Sequence, residues 1–233
     1  MSHTAIASRL QQVRERIACA ERAHQRPSGS VMLLAVSKTQ PVDNVRAAIA
    51  AGQRAFGENY VQDGQGKIDA LAAEDLEWHF IGPIQSNKTR NIASHYAWVH
   101  SIDRERIARR LSEQRPSDMP PLNVCIQVRL ANGPDRAGVD PDALAALAEQ
   151  IHALPGLRLR GLMGMPEAAS DFEAQREPFR RLRELQAALQ VKGFDLDTLS
   201  MGMSGDLEAA VAEGSTLVRV GTDVFGPRQP SAQ

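Results

Sequence analysis

Short apolar segments alternate with helical segments along this chain, and that alternation constrains the fold more than any other feature of the sequence. The eight strand candidates, each a short apolar run, are residues 31–36, 55–57, 78–81, 97–100, 122–128, 157–163, 198–201 and 216–220. The helices predicted between them span residues 41–52, 60–72, 87–93, 104–111, 141–154, 172–191 and 206–213. Strands that alternate with helices indicate βαβ units and therefore a parallel sheet.

Eight such units within about 200 residues predict an α/β fold of the smallest size at which a (β/α)₈ TIM barrel closes. An additional amphipathic helix precedes the first strand, because apolar residues from Ile6 to Ala20 recur at intervals of three and four. We expect this helix to cover the gap beside the last strand, which has no predicted helix after it. An open doubly wound sheet is the alternative, but no strand is followed by a G-x-G-x-x-G turn. We predict a single domain over residues 1–233, with a frayed tail after residue 227.

The composition is that of an ordinary globular protein, and it excludes several classes of function. With 27 basic and 28 acidic residues the net charge is −1, which argues against a general nucleic-acid-binding protein. The N-terminal segment carries charges, and no segment approaches the roughly 18 apolar residues of a membrane span, so we expect neither a signal peptide nor a membrane protein. Cys19 and Cys125 fit neither a disulfide framework nor a zinc site, which suits the cytoplasm.

Lys38 directly follows the apolar strand predicted at residues 31–36. In a barrel, the C-terminal ends of the strands form the active face, so this lysine is a candidate functional group. A partly desolvated amine is a better nucleophile and forms a Schiff base with an aldehyde. The alternative, which position alone favours, is a solvated lysine where the chain leaves the strand.

Two loops suited to phosphate follow the seventh and eighth predicted strands, where barrels commonly bind that group. The first loop contains Ser204 between two glycines, just before a predicted helix, and free amides there attract anions. The second contains Gly221, which lets the backbone approach a ligand, and Thr222, which offers a hydroxyl. Taken alone, Ser204 is explained equally well as a helix N-cap.

Arg219 lies within the last predicted strand, on the same side as Leu217 and Gly221. If that side faces the barrel interior, the guanidinium needs a partner. An ion pair across the barrel is one explanation, and a bound ligand's ring nitrogen or anionic group is the other. His79, in the third strand, is interpreted as a core histidine in preference to a catalytic base.

Six stretches of the chain together resemble one known family. They are LLAVSKTQP (33–41), FGENYVQ (56–62), WHFIGPIQSNK (78–88), SIDR (101–104), GLMGMP (161–166) and LSMGMSGDLEAAVAEGSTLVRVGTDVFGPR (199–228). In this order, and over nearly the whole chain, they are similar to the pyridoxal-phosphate homeostasis protein family, also called the proline synthetase co-transcribed protein family. The resemblance implies a barrel like the N-terminal domain of alanine racemase.

The same resemblance implies a binding site for pyridoxal 5′-phosphate. Lys38 would hold the cofactor aldehyde as an internal aldimine, and Asn59 would lie beside the ring. Arg219 would face the pyridine nitrogen. Met201 and Met203 would pack near the ring, although core packing explains them equally well. The residues implied for the phosphate are Ser204, Gly221 and Thr222.

Two positions depart from the family pattern. The loop after the fifth strand has Arg136 where members often carry a lysine, and arginine forms no aldimine. A role of a second lysine of that loop in cofactor transfer is therefore in doubt for this chain. Asp63 stands where a glutamate is expected, which we interpret as a mild change on a predicted helix face.

An arginine at the ring nitrogen fits racemisation or no carbanion chemistry at all. A carboxylate there would keep the nitrogen protonated and make the ring a strong electron sink, whereas Arg219 cannot accept that proton. The resemblance also implies that a racemase needs a second acid or base, a tyrosine supplied by an additional domain of the other subunit. The predicted barrel uses all of this chain, and neither Tyr60 nor Tyr96 lies at a predicted site.

We therefore expect a non-catalytic cytoplasmic protein that carries pyridoxal phosphate, takes part in vitamin B6 homeostasis and releases the cofactor to acceptor enzymes. We expect a monomer without a bound metal. The alternative is a small pyridoxal-phosphate-dependent amino-acid racemase. An RNA- or protein-binding face built from the arginines of residues 104–110 and 176–183 is a third interpretation, weakened by the glutamates that interleave with them.

Overall fold

Eight parallel strands close into a barrel in the computed structural model, which describes residues 3–130 and 137–227. In chain order they are β1 (Met32–Val36), β2 (Ala55–Glu58), β3 (Glu77–Phe80), β4 (Trp98–Ile102), β5 (Leu122–Val128), β6 (Leu157–Gly164), β7 (Thr198–Ser200) and β8 (Leu217–Val220). Each strand pairs with the next, and β8 closes the barrel on β1. The predicted parallel barrel is confirmed, and the open sheet is wrong.

The helices of the described residues form the outer layer. They are α1 (His3–Ala23), α2 (Val42–Ala50), α3 (Val61–Ala70), α4 (Thr89–His95), α5 (Glu105–Gln114), α6 (Leu144–His152), α7 (Phe172–Val191), α8 (Leu207–Ala212) and α9 (Thr222–Phe225). The expectation that no helix follows the last strand is wrong. One turn forms there because the carbonyl of Gly221 accepts hydrogen bonds from two following amides, and Val224 and Phe225 are fully buried. Within the described ranges, no helix has the length and apolarity needed to cross a bilayer.

The predicted apolar face of α1 is buried against the barrel. Its residues are at most 5% exposed: Ile6, Leu10, Val13, Ile17 and Ala20. They pack beside α2 on one side and beside α8 and α9 on the other. The additional helix therefore covers the place where the first and last strands meet, as the sequence predicts.

Alternation along the strands separates two cores. Side chains that point outward pack under the helices in one large apolar cluster, which includes Phe56 and Val99. Apolar side chains inside the barrel form two small clusters, Leu34 with Ala55 and Leu217, and Trp98 with Cys125 and Met163. The buried polar residues of the interior strands include His79, His100, Ser200 and Arg219. The interior thus carries polar groups towards the C-terminal ends of the strands.

Candidate functional site

A cavity of about 390 Å³ opens at the C-terminal ends of the strands, the face on which barrel proteins place their sites. Six of the seven residues expected to bind a cofactor line it: Lys38, Asn59, Ser204, Arg219, Gly221 and Thr222. They come from the ends of β1, β2 and β8 and from the loops after β7 and β8. Gln40, Gln127 and Met165 also line the cavity and were not predicted.

Met201 is the seventh expected residue, and the structure places it elsewhere. It is fully buried in the large apolar cluster, and its backbone N–H continues the pairing of β7 by donating to the carbonyl of Leu217. Met203, two residues on, lines the cavity and is 38% exposed. Its side chain thus belongs to the core, which was the alternative explanation, and the expected contact of Met201 with a ligand ring stays a prediction.

Lys38 enters the cavity where β1 ends. The residue before it, Ser37, still pairs with β2, since its N–H donates to the carbonyl of Gly57 at 3.0 Å. Lys38 itself is half-buried. A lysine amine that lines a cavity is a candidate nucleophile towards an aldehyde. The lysine is thus not the fully solvated residue of the alternative interpretation.

Asn59 presents an unused acceptor to the cavity. Its Oδ1 is buried and has no hydrogen-bond partner among the described residues. Its backbone is packed against Gly82, where an added Cβ would lie 2.1 Å from the carbonyl oxygen of Asn59. Only glycine fits at that position, so the chain after β3 supports the residue that ends β2. A buried amide oxygen without a partner is a ready acceptor for a ligand.

Arg219 is 4% exposed and lines the cavity from inside the barrel. Its Nη1 donates to the carbonyl and the hydroxyl of Ser200, at 2.5 and 2.7 Å, and its Nη2 donates to the carbonyl of Gly164 at 3.0 Å. These partners are neutral groups. Among the described residues, neutral acceptors therefore hold the Arg219 guanidinium, and the ion pair offered as one explanation is not observed. Burial lowers the pKa of Arg219 to about 10, which leaves the guanidinium protonated at neutral pH.

A chain of hydrogen bonds runs from Arg219 through the barrel interior. Nδ1 of His100 lies 2.8 Å from the Ser200 hydroxyl, and Nε2 of His100 lies 2.9 Å from Nδ1 of His79. Nε2 of His79 lies 2.8 Å from Oε1 of Glu77 at the opposite end of the barrel. Arg219 can only donate, so the Ser200 hydroxyl accepts from it and donates its own proton to His100. With both histidines neutral, His100 then donates to His79, and His79 donates to Glu77; this assignment gives every proton of the chain an acceptor.

The two buried histidines stay neutral in the fold. Burial holds the pKa of His100 well below 6.5, and the positive charge of the nearby Arg219 adds to the effect. Burial also lowers the pKa of His79, opposed by its contact with Glu77. His79 is therefore a core histidine with partners, as the sequence interpretation has it. Sequence patterns carry no sign of the contact between His79 and His100, which lie 21 residues apart.

We expect the free energy of unfolding to fall when the pH drops below about 6.5. The unfolded chain then binds protons that the neutral buried histidines do not, at about 1 kcal/mol per pH unit for each histidine. Replacing His100 by asparagine should make this dependence shallower by about one proton. Urea unfolding between about pH 5 and 8 measures it. An unchanged slope in His100→Asn would contradict the assignment.

Ser204 is not a helix cap. The N-cap of α8 is Asp206, two residues later, and no side chain caps that helix end. Asp206 Oδ1 accepts instead from the N–H of Met203 at 2.6 Å and folds the loop back on itself. This turn leaves Ser204 and Gly205 on the cavity wall. The N-cap interpretation of Ser204 is therefore wrong.

Arg16 joins the two loops that were expected to bind phosphate. From α1, its Nη2 donates to the carbonyl of Ser204 at 3.0 Å. Its Nε pairs with Glu208 at 2.8 Å, and its Nη1 pairs with Asp223 at 2.5 Å, next to Thr222. The additional helix thus supports both loops from behind the cavity. No local sequence pattern indicates these contacts of Arg16, because its partners lie 188 to 207 residues away.

The sequence analysis did not predict a group of buried charged residues near Lys38, which centres on Lys67. Lys67 of α3 is 3% exposed, and its Nζ donates to Glu58 Oε1 at 2.8 Å and to Asp63 Oδ2 at 3.0 Å. Burial raises the pKa of Glu58, and the Lys67 ammonium opposes that rise. We call Glu58, Asp63 and Lys67 the Lys67 cluster. Asp63 lies partly exposed on α3 and contacts the buried Lys67, so it is more than a mild change on a helix face.

The arginines of α7 have a structural partner. Arg176, Arg180 and Arg183 pair with the carboxylate of Glu213, which is 1% exposed at the end of α8. Several cations around one buried carboxylate join two neighbouring helices. The interpretation of these arginines as an RNA-binding face loses its support.

Arg136 and the tail after residue 227 lie outside the described residues. Ala137, which follows that arginine, lines the cavity. The loop after β5 therefore adjoins the cavity at least at its C-terminal end. The expectations about a second lysine of this loop and about a frayed tail stay predictions.

Comparison with known proteins gives consistent matches along the chain. Residues 8–229 match the family model of the alanine racemase N-terminal domain. A pyridoxal phosphate homeostasis protein of Pseudomonas aeruginosa is 56% identical over 227 residues, which cover 97% of either chain. A protein of the same name from Escherichia coli K12 is 49% identical over 229 residues, covering 97% of this chain and 98% of that one.

Solved structures share the barrel. PipY of Synechococcus elongatus PCC7942, solved with pyridoxal phosphate bound, is 40% identical with a TM-score of 0.84, covering 95% of this chain and all of that one. Alanine racemase of Corynebacterium glutamicum is 18% identical with a TM-score of 0.72, covering 95% of this chain and 60% of that one. At that lower identity the likeness concerns the fold alone.

Proposed function

Because the chain belongs to the pyridoxal phosphate homeostasis protein family, we propose that it binds pyridoxal phosphate in the cavity and takes part in the homeostasis of this cofactor. One observation carries the proposal. An amine, Lys38, and a buried guanidinium, Arg219, line the same cavity from adjacent strands, together with the loops around Ser204 and Thr222. The fully buried, unpartnered oxygen of Asn59 adds an acceptor on the same wall.

These residues fit the aldehyde, the phosphate and the ring nitrogen of pyridoxal phosphate. When bound, the cofactor supplies an aldehyde that condenses with amines. Lys38 would hold the cofactor through its Nζ, and the condensation would release one water. The hydroxyls of Ser204 and Thr222, with the backbone at Gly221, suit the phosphate. Arg219, which is protonated at neutral pH, would face the ring nitrogen as a donor and would not keep that nitrogen charged.

The site supports carriage of the cofactor over racemisation. A racemase needs a second acid or base, and tyrosine is the candidate that the resemblance suggests. Burial raises the pKa of the Tyr96 phenol above its usual value, and its hydroxyl lies beside Gly64 in the outer core. Tyr60 is 57% exposed. Neither tyrosine is among the described cavity-lining residues, so the described part of the site lacks that second acid or base.

The experiment that separates carriage from catalysis uses the loaded protein and two readouts. Transfer of bound pyridoxal phosphate to the apo form of a pyridoxal-phosphate-dependent enzyme is followed by recovery of that enzyme's activity. Deuterium exchange at the α-carbon of alanine or serine is followed by NMR. Transfer without exchange above that of free cofactor supports a carrier. Exchange faster than with free cofactor, abolished in Lys38→Ala, would establish the racemase instead.

Replacing Arg16 by glutamine should weaken the binding of pyridoxal phosphate about tenfold while leaving pyridoxal unaffected. The reason is that Arg16 holds the Ser204 and Asp223 segments, which flank the phosphate loops and not the ring; one charge-assisted hydrogen-bond network of this kind contributes about 1.5 kcal/mol. Equilibrium dialysis with each ligand gives the ratio of the dissociation constants of the variant and the wild type. Arg22→Gln, on the same helix but bonded only locally to Cys19, is the matched control. Equal losses for both ligands would contradict the phosphate assignment.

The setting in which the carrier acts is part of the proposal. Cys19 and Cys125 are free thiols, which suits the reducing cytoplasm. Acceptor enzymes are the partners, and the carrier acts as a monomer. Sedimentation of the loaded protein, alone and with an apo acceptor enzyme, tests both statements.

A further inference from the structure

The backbone on one side of Lys38 is held by buried polar groups. Ser37 is fully buried, and its hydroxyl donates to Glu58 Oε1 at 2.6 Å. Its carbonyl accepts from Lys67 Nζ at 2.7 Å. Together with the pairing of its N–H to β2, these contacts use all three polar groups of Ser37. The residue that precedes the cavity lysine is therefore fixed to β2 and α3.

The backbone on the other side of Lys38 is strained and is held as well. Thr39 has a φ of +62°, in the left-handed region that β-branched residues rarely adopt. Its N–H donates to Asp63 Oδ2 at 2.9 Å. Such conformations persist where the surroundings hold them, and they concentrate at functional sites. Asp63 is the group that engages Thr39 here.

The three N–H bonds of the Lys67 ammonium equal the number of acceptors around it. An ammonium has three N–H bonds, and Lys67 Nζ has three acceptors: the carbonyl of Ser37, Glu58 Oε1 and Asp63 Oδ2. Two of these acceptors themselves hold the residues on either side of Lys38. A single buried cation thus connects both ends of the three-residue segment that carries the cavity amine.

We propose that Lys67, acting with Asp63 and Glu58, is a positioning group that presents Lys38 to the cavity by holding Ser37 and strained Thr39. This inference rests on the proposed function, because the consequence of the positioning is faster covalent capture of pyridoxal phosphate by Lys38. Lys67 does not contact the cavity; it acts through the backbone. Without it, the segment relaxes and the Lys38 amine leaves the geometry of attack.

Two variants and one rescue test the positioning. Lys67→Met and Asp63→Ala should each slow capture of pyridoxal phosphate by about 10- to 100-fold, because small displacements of a reacting group have effects of this size. Adding Thr39→Gly to Lys67→Met should restore much of the rate, since glycine adopts a positive φ without strain. Stopped-flow absorbance of the captured cofactor gives the rates, and Lys88→Met is the control. Asp63 is partly exposed, so Asp63→Ala serves if Lys67→Met does not fold.

A cofactor-free measurement accompanies the rates. Amide hydrogen exchange at Thr39 should accelerate in both variants, because its N–H loses a firmly held acceptor. A merely structural role of Lys67 predicts lower stability but no rescue by glycine, which itself loosens the unfolded chain. The inference is overturned if wild-type protein captures the cofactor and the variants capture it equally fast, or if Thr39→Gly restores nothing. Failure of the wild type to capture it would overturn the proposed function, and this inference with it.

Discussion

Lys38→Ala is expected to abolish covalent capture of pyridoxal phosphate completely while the protein stays folded. The chain has only four lysines, at positions 38, 67, 88 and 192. Of these, Lys38 alone is among the described residues that line the cavity, and Lys67 has all three donors engaged. Because Lys38 is half-buried, its truncation should change the free energy of unfolding by at most about 1 kcal/mol.

Absorbance before and after borohydride reduction, followed by peptide mass spectrometry, measures this loss. Wild-type protein should carry the cofactor mass on the peptide that contains Lys38. Lys88→Ala is the matched control, since Lys88 follows β3 but is not among the described cavity-lining residues. Cofactor mass on another lysine of Lys38→Ala, at the wild-type rate, would remove Lys38 from the site.

Gly64→Ala is expected to destabilise the protein by about 3 kcal/mol, the size of a severe overpacking in a core. An added Cβ would lie 1.9 Å from the hydroxyl of Tyr96 and 3.2 Å from the side chain of Glu58. Tyr96 and Glu58 are both fully buried, so neither can move away without opening the core. Gly64 is therefore required by the packing of α3 against the barrel.

Gly66 of the same helix is the matched control, with an effect of opposite sign. It is exposed, and an added Cβ would meet nothing within 4 Å. Gly66→Ala should stabilise the protein by about 1 kcal/mol, because alanine favours the helix. Chemical unfolding of both variants measures the difference. Tyr96→Phe should relieve part of the cost in Gly64→Ala; additivity of the two changes would contradict the assigned clash.

The two glycines also show which features the sequence predicts and which depend on three-dimensional packing. Both weaken a predicted helix by the same rule, and only three-dimensional packing distinguishes them. The barrel was predictable because each strand is a short apolar run bounded by polar or turn residues, whereas the helices repeat their apolar residues every three or four positions. Helix ends and the last turn, α9, depend on which side chains find a buried place.

The cavity was predictable from residues that follow strands, since parallel strands bring their ends together. That rule located Lys38 and Thr222. Met201, which the family resemblance places near the ring, is one residue beyond β7 and packs in the core. The rule carries no information on the Lys67 cluster, which joins α3 to the end of β2, although Asp63 and Lys67 have the i,i+4 spacing of a helical ion pair. Nor does it indicate the contact between His79 and His100, which depends on the stagger of β3 and β4.

The contacts of Arg16 have a consequence for the order in which the chain folds. They join residues 192 and 207 positions apart, so α1 can dock fully only after almost the whole chain has left the ribosome. Contacts of such high sequence separation form late and slow the final step. The two loops that Arg16 supports therefore reach their final arrangement late in folding. The barrel becomes competent to take up the cofactor only after residues as far as Asp223 have joined the fold.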